Sequence, residues 1–261
     1  MPVATKILGF AGSASIAGTQ LLMTAGSFNE AVSPSYQEMI STPPSSTMAG
    51  RVLHADGTKA YTGSLSFDVN DATMALFVVT GGLLERYWEF DVGIHDGITD
   101  KKMQKCKLTS LSISGAEGGL VNAQVSFLGL TGRQAGSTPN NFIRDNAPIG
   151  YWYTGDDASV GIKDWTLTMN QSADVVYTNE DVMTPNYIKV GLVNYSLAVT
   201  TYIDLGAANQ DHISISTSSF TLIGKRTGSN FNFGGLADVG TYNYTFESSS
   251  DDGTSDELVI S

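Results

Sequence analysis

The stretch that most constrains this chain is residues 105–130, KCKLTSLSISGAEGGLVNAQVSFLGL. Before a glycine-rich connection, Leu111 and Ile113 alternate with serines; after it, Val125 and Phe127 alternate with small polar residues. Strict alternation on both sides of a short glycine-bearing connection is a strong signal for a β-hairpin. The stretch therefore predicts two antiparallel strands that share one apolar face.

A phase change within the first of these strands predicts a local irregularity. Cys106 and Leu108 lie out of phase with Leu111 and Ile113, so one extra residue is expected between the two pairs. We therefore predict a β-bulge near Thr109.

The hairpin has a second, longer counterpart. Residues 119–122 and 191–194 both read GLVN, and the second copy continues as an alternating strand to Ile203. Its predicted partner is 165–169, and the connection 171–190 is predicted to be a long arm with a strand-like segment in its middle. In both hairpins the apolar positions should point inward, namely Val125, Phe127, Leu197 and Val199. This repeat of GLVN leaves open an internal duplication of the chain, with halves at about 20–130 and 160–247.

Elsewhere the chain reads as short strands, loops and one short helix. Residues 28–32 form a predicted strand that Ser33-Pro34-Ser35 ends, and the proline-bearing 41–60 is predicted to be a long loop or an excursion at a sheet edge rather than a core strand. Asp71 is placed to cap a helix over 72–80, for which a buried strand is the alternative. Residues 83–92 then predict a strand, and 93–102 a turn-rich link. The fold class is all-β, a sandwich or barrel with one short helix and long arms between strands, and residues 1–247 form its domain.

Composition excludes several classes of protein. Charged residues make up 15% of the chain, the formal net charge is −12, and no block of lysine and arginine is present. The acid is partly concentrated in the tail, residues 248–261. Phosphate-backbone binding is therefore not expected. No apolar run approaches the length of a membrane span, and the apolar run near the start is too short for a signal peptide.

A search for catalytic motifs finds none. His54, His95 and His212 stand apart, and no spacing offers a third metal ligand on one face. The single cysteine, Cys106, lies in strand phase and reads as a small buried apolar residue. No nucleophile elbow, phosphate-binding glycine loop or CxxC is present. The sequence predicts no enzyme activity, no cofactor and no metal.

The order of these segments resembles the tail tube proteins of long-tailed bacteriophages. The most specific part is the hairpin CKLTSLSISGAEGGLVNAQVSFLGL, preceded by GTQLLMTAGSFNEAVSPSY, a proline-bearing loop and the strand 65–69. A second strand pair, 165–169 with 193–203, follows it. The resemblance covers roughly 20–130 and 160–246, and neither the first 20 residues nor the acidic tail takes part in it.

The resemblance implies a structural virion protein. Members of the family form hexameric rings, or trimeric rings of duplicated subunits, whose sheets close into one β-barrel and stack into a hollow tube for DNA. The implied partners are other copies of the chain, a tape-measure protein, and tail terminator or baseplate proteins, with DNA passing through unbound. The implied location is the virion after synthesis in the host cytoplasm, with no membrane contact. The ring symmetry and the choice between contractile and non-contractile tails stay open.

Two sets of residues are expected to serve this role. Polar positions on the two hairpins are candidates for lining the lumen, and they are Asn122, Gln124, Ser126, Thr166, Thr168, Asn194, Ser196 and Thr200. The long arms are candidates for contacts between subunits and rings, through Pro43, Pro44, Met48, Arg51, Val175, Val176, Tyr177, Met183 and Tyr187. Two alternatives remain: a secreted or surface β-sandwich that binds a sugar or a receptor, supported by the aromatic 151–153, and a tube subunit of a contractile injection machine.

Overall fold

The structure, a computed structural model, describes part of the 261-residue chain. The described residues are 13–40, 52–77, 81–95, 99–132, 134–135, 161–177, 185–204, 221–222, 224–233, 239–248 and 258–259. Within them the chain is almost entirely β, which confirms the all-β content of the prediction.

Fourteen strands and one helical turn make up the described secondary structure. In chain order they are β1 (Ser13–Ile16), β2 (Thr19–Gln20), β3 (Leu22–Ile40), β4 (Val52–Asp68), α1 (Asp71–Met74), β5 (Phe90–His95), β6 (Asp100–Ala116), β7 (Asn122–Gly129), β8 (Gln134–Ala135), β9 (Ile162–Val176), β10 (Tyr187–Thr201), β11 (Thr221–Leu222), β12 (Gly224–Asn232), β13 (Thr241–Ser248) and β14 (Leu258–Val259).

Twelve of these strands form one antiparallel network with two layers. The large sheet has the order β3-β4-β7-β6-β9-β10-β13-β12, and the second layer has β2-β1-β5-β6 with β8 beside β6. Within the described chain, β3 and β12 each pair on one side only, so the large sheet is open at both ends. The remaining strands, β11 and β14, pair with each other, which ties Leu258–Val259 of the acidic tail to Thr221–Leu222.

The long strand β6 belongs to both layers. Its first part pairs with β5, and from Lys107 onward it pairs with β7 and β9. Lys105, near the end of the first part, has a positive φ of 52°, and the register shifts between Leu108 and Ser110. The second irregularity is the bulge predicted near Thr109, which is confirmed. Because a bulge bends a strand and increases its twist, it lets β6 pass from one layer to the other.

Both predicted hairpins are present, and they lie side by side. In the first, Leu111 pairs with Val125, and in the second Leu167 pairs with Leu197. Strands β6 and β9 join the hairpins, with Ile113 opposite Leu167. Four adjacent strands therefore come from the two segments that the alternation identified.

The core lies between the two layers. Val125, Phe127, Leu197 and Val199 are 0%, 1%, 0% and 3% exposed, so the inward prediction is confirmed. The second layer contributes Ile16, Val92, Ile94 and Met103, all buried. Burying each such side chain contributes about 1.5–3 kcal/mol, so this interface accounts for much of the stability of the fold.

The predicted helix over 72–80 is wrong in its extent. The structure has a single turn, Asp71–Met74, and its cap is Asn70 rather than Asp71. The Asn70 side chain accepts from the Thr73 N–H at 2.8 Å, and the Thr73 hydroxyl oxygen accepts from the Asn70 N–H at 2.9 Å. Leu76 and Phe77 then enter the core through tight turns, since a segment apolar all round has no polar face to present to water. Residues 78–80 lie outside the described chain.

The strand predicted over 83–92 is also wrong in its first part. Residues 83–87 form turns, and β5 begins only at Phe90. β5 then runs through His95, so the start of the predicted turn-rich link is strand. The alternation corresponds to a strand from Phe90 onward, where Phe90 and Val92 are buried and Asp91 between them is only half-buried.

The predicted break at 33–35 is wrong, and of the two alternatives for 41–60 the long loop is wrong from Val52 onward. β3 runs through Pro34, and β4 begins at Val52, so the two strands form one long antiparallel ribbon. The register shifts between Pro34 and Tyr36. Proline has no N–H to donate, but β3 pairs only with β4 in the described chain, so the other side of the strand needs no donor there. Residues 41–51 lie outside the described chain.

Candidate functional site: the polar face of the large sheet

The face of the large sheet that points away from the core is built from small polar side chains. Because side chains alternate across a strand, each buried position of a hairpin leaves its neighbours on this face. Cross-strand pairing places them in three rows that cross β4, β7, β6, β9 and β10. The rows are Asp68, Asn122, Ser114, Thr166 and Ala198; Ser66, Gln124, Ser112, Thr168 and Ser196; and Ser64, Ser126, Ser110, Asn170 and Asn194.

These rows carry almost no charge. Asp68 is the one ionisable residue among them, and it lies in the outermost strand of the five. The Asn122 amide donates to the Asp68 carboxylate at 3.3 Å and to the Phe67 carbonyl at 3.1 Å, which holds the carboxylate against its neighbour. The face therefore offers hydroxyls and amides in a regular array, with no fixed charge across its centre.

Charged side chains lie at the borders of the polar face. On β13, Glu247 stands opposite Ser196 and is exposed, and on β9 Asp164 stands opposite Thr200 near the end of the strand. The Thr200 hydroxyl donates to the Asn243 side-chain oxygen at 3.0 Å, so uncharged contacts continue from β10 to β13. The electrostatic character of the face thus changes only at its edges.

All eight residues predicted to line a lumen lie on this polar face. Seven occupy the three rows, and Thr200 lies two residues beyond Ala198 on β10. Gln124 and Asn194 are exposed, and the other six are half-buried among their neighbours. The geometry brings the set together on one surface, whereas the lumen itself stays a prediction.

Sequence reasoning missed part of the surface. The serines of β6 and β4, together with Asn170, complete the rows between the predicted residues, and they are Ser64, Ser66, Ser110, Ser112 and Ser114. The serine alternation around Leu111 and Ile113 was the signal that could have found three of them. Their place in the middle of the face depends on the pairing of β6 with β9, which local alternation does not specify.

The two ends of the predicted arm over 171–190 form a paired ribbon, and residues 178–184 lie outside the described chain. β9 continues to Val176 and β10 begins at Tyr187, and these two residues face each other across the pair. The Tyr177 hydroxyl donates to the Lys59 carbonyl at 2.7 Å, which ties the end of this ribbon to β4. Tyr187 is 53% exposed and stays available for a contact outside the chain. The other arm candidates, Pro43, Pro44, Met48, Arg51 and Met183, lie outside the described residues.

No metal site is visible in the part of the chain that the structure describes. That part contains no group of three or more histidine, cysteine or acidic side chains that could hold a metal ion. The Nδ1 atom of His95 lies 2.8 Å from the Asp100 carboxylate across the β5–β6 pair. Burial, and to a smaller extent the nearby Asp91 carboxylate, raise the pKa of the Cys106 thiol to about 12, so the thiol is protonated at neutral pH and a poor nucleophile.

None of the helices among the described residues is long and apolar enough to cross a membrane. No family model matches the sequence, and no curated protein is significantly similar to it.

Proposed function

We propose that this chain is the subunit of a hollow tube, assembled from stacked rings, in which the polar face of the large sheet lines the lumen. The observation that carries the proposal is the three-row array of hydroxyl and amide side chains, backed by a continuous apolar core. The resemblance of the hairpin segment to tail tube proteins of long-tailed phages supports the same role. The cargo would then be phage DNA, and the tube would be part of the virion.

An uncharged face suits a conduit for DNA. Lysines on the wall would bind phosphates with a salt-dependent affinity and slow the moving strand, whereas dense carboxylates would repel it. At physiological ionic strength that repulsion reaches only about 8 Å, so the side chains on the wall itself decide the effect. Hydroxyls and amides hydrogen-bond water and neither attract nor repel a phosphate strongly. The array on β6, β7, β9 and β10 meets this requirement.

The two open ends of the large sheet support assembly through sheet edges. β3 and β12 each pair on one side only within the described chain, which leaves rows of backbone N–H and C=O groups unpaired. Exposed edges of this length promote pairing with another copy unless they are covered. Pairing of the two ends between neighbours would close the sheets into a barrel with the polar face inside, and it satisfies those groups. Such an assembly requires other copies of the chain as partners, both within a ring and in the rings above and below. A tape-measure protein and terminator or baseplate proteins would complete the tail.

The position of β1 argues against one form of the alternative, an exported module whose leader is cleaved near Ala17. Ala17 and Gly18 form the turn between β1 and β2, and Ala14 and Ile16 of β1 are buried in the core. Cleavage of a leader near Ala17 would remove a core strand from the domain.

Electron microscopy of the purified chain tests the assembly. Negative staining should show rings or tubes, since stable symmetric interfaces usually bury more than about 1,000 Å². A species that stays monomeric at high concentration would refute the proposal.

Lysine substitution tests the lumen. Gln124→Lys and Ser126→Lys should leave assembly intact and slow DNA ejection, more so at low salt, because each new phosphate contact adds salt-dependent affinity. Gln134→Lys is the matched control, since Gln134 is exposed on β8 in the second layer and receives the same charge change. Normal ejection from tubes shown to contain Gln124→Lys would remove the polar face from the lumen.

A further inference from the structure

A cavity of about 610 Å³ lies on the outward side of the second layer, away from the polar face. It is bounded by the β1–β2 turn at Ala17 and Gly18, by Trp88 and Asp91, and by Gln104 on β6. The inward neighbours of these positions, Val92 and Met103 among them, are buried in the core, so the cavity opens on the opposite side of the layer. Its volume falls in the range of small-molecule binding sites.

The backbone around this cavity is strained. Ala17 and Lys105 have φ values of 50° and 52°, and they are the non-glycine residues with positive φ in the described chain. Both line the cavity. A side chain at such a φ is disfavoured, and residues held this way cluster at ligand-binding and active sites. The presence of two such residues on one cavity is therefore a first indication that the cavity binds a ligand.

Asp91 holds the walls of the cavity together. Its carbonyl accepts from the Ala17 N–H at 2.9 Å, and its carboxylate accepts from the Lys105 N–H at 3.0 Å. The other carboxylate oxygen lies 2.6 Å from the Lys102 ammonium. With both oxygens engaged, the carboxylate is a poor metal ligand, and its role is to keep the two strained segments in place.

The chemistry of the lining favours a neutral ligand with hydroxyl groups. Glu89 and Asp91 balance Lys102 and Lys105, so the cavity offers no excess charge to an anion or a cation. Trp88 supplies an aromatic surface, and its ring is held by stacking on Phe90, with centroids 5.1 Å apart. Ser15 and Gln104 add groups that can both donate and accept hydrogen bonds.

From this combination we infer that the cavity is a binding site for a neutral sugar, an unsubstituted hexose unit at the end of or within an oligosaccharide. The indole of Trp88 packs against the C–H face of the ring, and the polar groups of Gln104 and Ser15 bond its hydroxyls. A single hexose unit has few atoms, so a dissociation constant in the millimolar range is expected. The site does not require assembly into rings, and in the proposed tube it lies on the outer side, where a sugar can reach it.

Saturation-transfer NMR and calorimetric titration test the site with maltose, lactose, glucuronate and glucosamine as probes. We expect a neutral disaccharide to bind with an affinity that does not change between low and high salt. Gln104→Leu, which keeps the volume and removes the amide, should weaken binding about 10-fold. Trp88→Ala should abolish it. Tyr87→Ala is the matched control, because Tyr87 is exposed and does not line the cavity, and it should bind as the unaltered protein does.

Three results would overturn the inference. The first is no binding of either neutral sugar at about ten times the expected dissociation constant. The second is a salt-sensitive preference for glucuronate or glucosamine, which would show that the charges are not balanced. The third is unchanged affinity in Gln104→Leu, whose volume-conserving substitution keeps the fold testable where Trp88→Ala does not fold.

Discussion

Gly63 and Phe127 offer the sharpest test of the packing beneath the polar face. They stand directly opposite each other on β4 and β7. A Cβ added at Gly63 would lie 2.5 Å from the Cζ atom of Phe127, closer than real contacts allow. The Phe127 ring is 1% exposed and meets the Phe90 ring edge-on, with centroids 6.1 Å apart, so it has no room to move aside.

The magnitudes follow from this geometry. Gly63→Ala should destabilise the fold by about 1–3 kcal/mol, the usual cost of overpacking. Phe127→Ala should cost about 3–5 kcal/mol, because it removes a fully buried ring and leaves a cavity. In the double variant the new methyl group enters the space that the ring vacated. Its cost should therefore fall below the sum of the single costs by about 1–3 kcal/mol.

Urea denaturation followed by tryptophan fluorescence measures all three free energies of unfolding, with an unchanged slope as the check on two-state behaviour. Gly228→Ala is the matched control, since a Cβ there would lie 3.8 Å from Thr245 in ordinary contact, and it should leave stability unchanged or raise it by up to about 1 kcal/mol. Strict additivity of the double variant, or a Gly63→Ala protein as stable as the unaltered one, would show that the ring does not cover Gly63.

Three further substitutions test local features. Asn70→Ala should cost about 1–2 kcal/mol in urea denaturation, because it removes a buried cap whose Thr73 partner is 0% exposed, and Asn70→Ser should recover part of the loss. Ala17→Gly should raise the free energy of unfolding by up to about 1 kcal/mol, since glycine adopts the positive φ without strain, and a loss of stability would contradict the assigned conformation. The pKa of Cys106 is raised from 9.0 to about 12 in the folded state. The protonated thiol therefore contributes fully to the free energy of unfolding below about pH 9, and this contribution is lost as the pH rises to about 12. Cys106→Ala should therefore lose less stability over that range, and an identical alkaline profile would contradict the burial of the thiol.

The sequence predicted well what a local period determines. Alternation identified both hairpins and the inward direction of Val125, Phe127, Leu197 and Val199, because one face of each strand is buried and a slip by one residue would expose it. The same alternation placed all eight lumen candidates on one side of their strands. The bulge near Thr109 was also predictable, because it shifts the alternation of apolar and polar residues along the strand by one position.

What the sequence did not predict depends on distant partners. β1 is only four residues long, and its burial depends on pairing with β5, which lies far along the chain. Pro34 is a sound signal for the end of a central strand, but it is tolerated at an edge, and only the topology makes β3 an edge. The three polar rows likewise required the pairing of β6 with β9, a contact between segments that are remote in sequence.

The membership of β6 in both layers has a consequence for how the chain folds. Because β6 completes the pairing of β5 on one side of the bend and of β7 and β9 on the other, unfolding of β6 disrupts both layers at once. The amide protons of β6 should therefore exchange with solvent only through global unfolding. Its partners also include β9, which is synthesised long after it, and folding dominated by such non-local pairing takes milliseconds to seconds. Newly synthesised chains would then expose unpaired strand edges for that interval, and their concentration would decide how many fold correctly and how many aggregate.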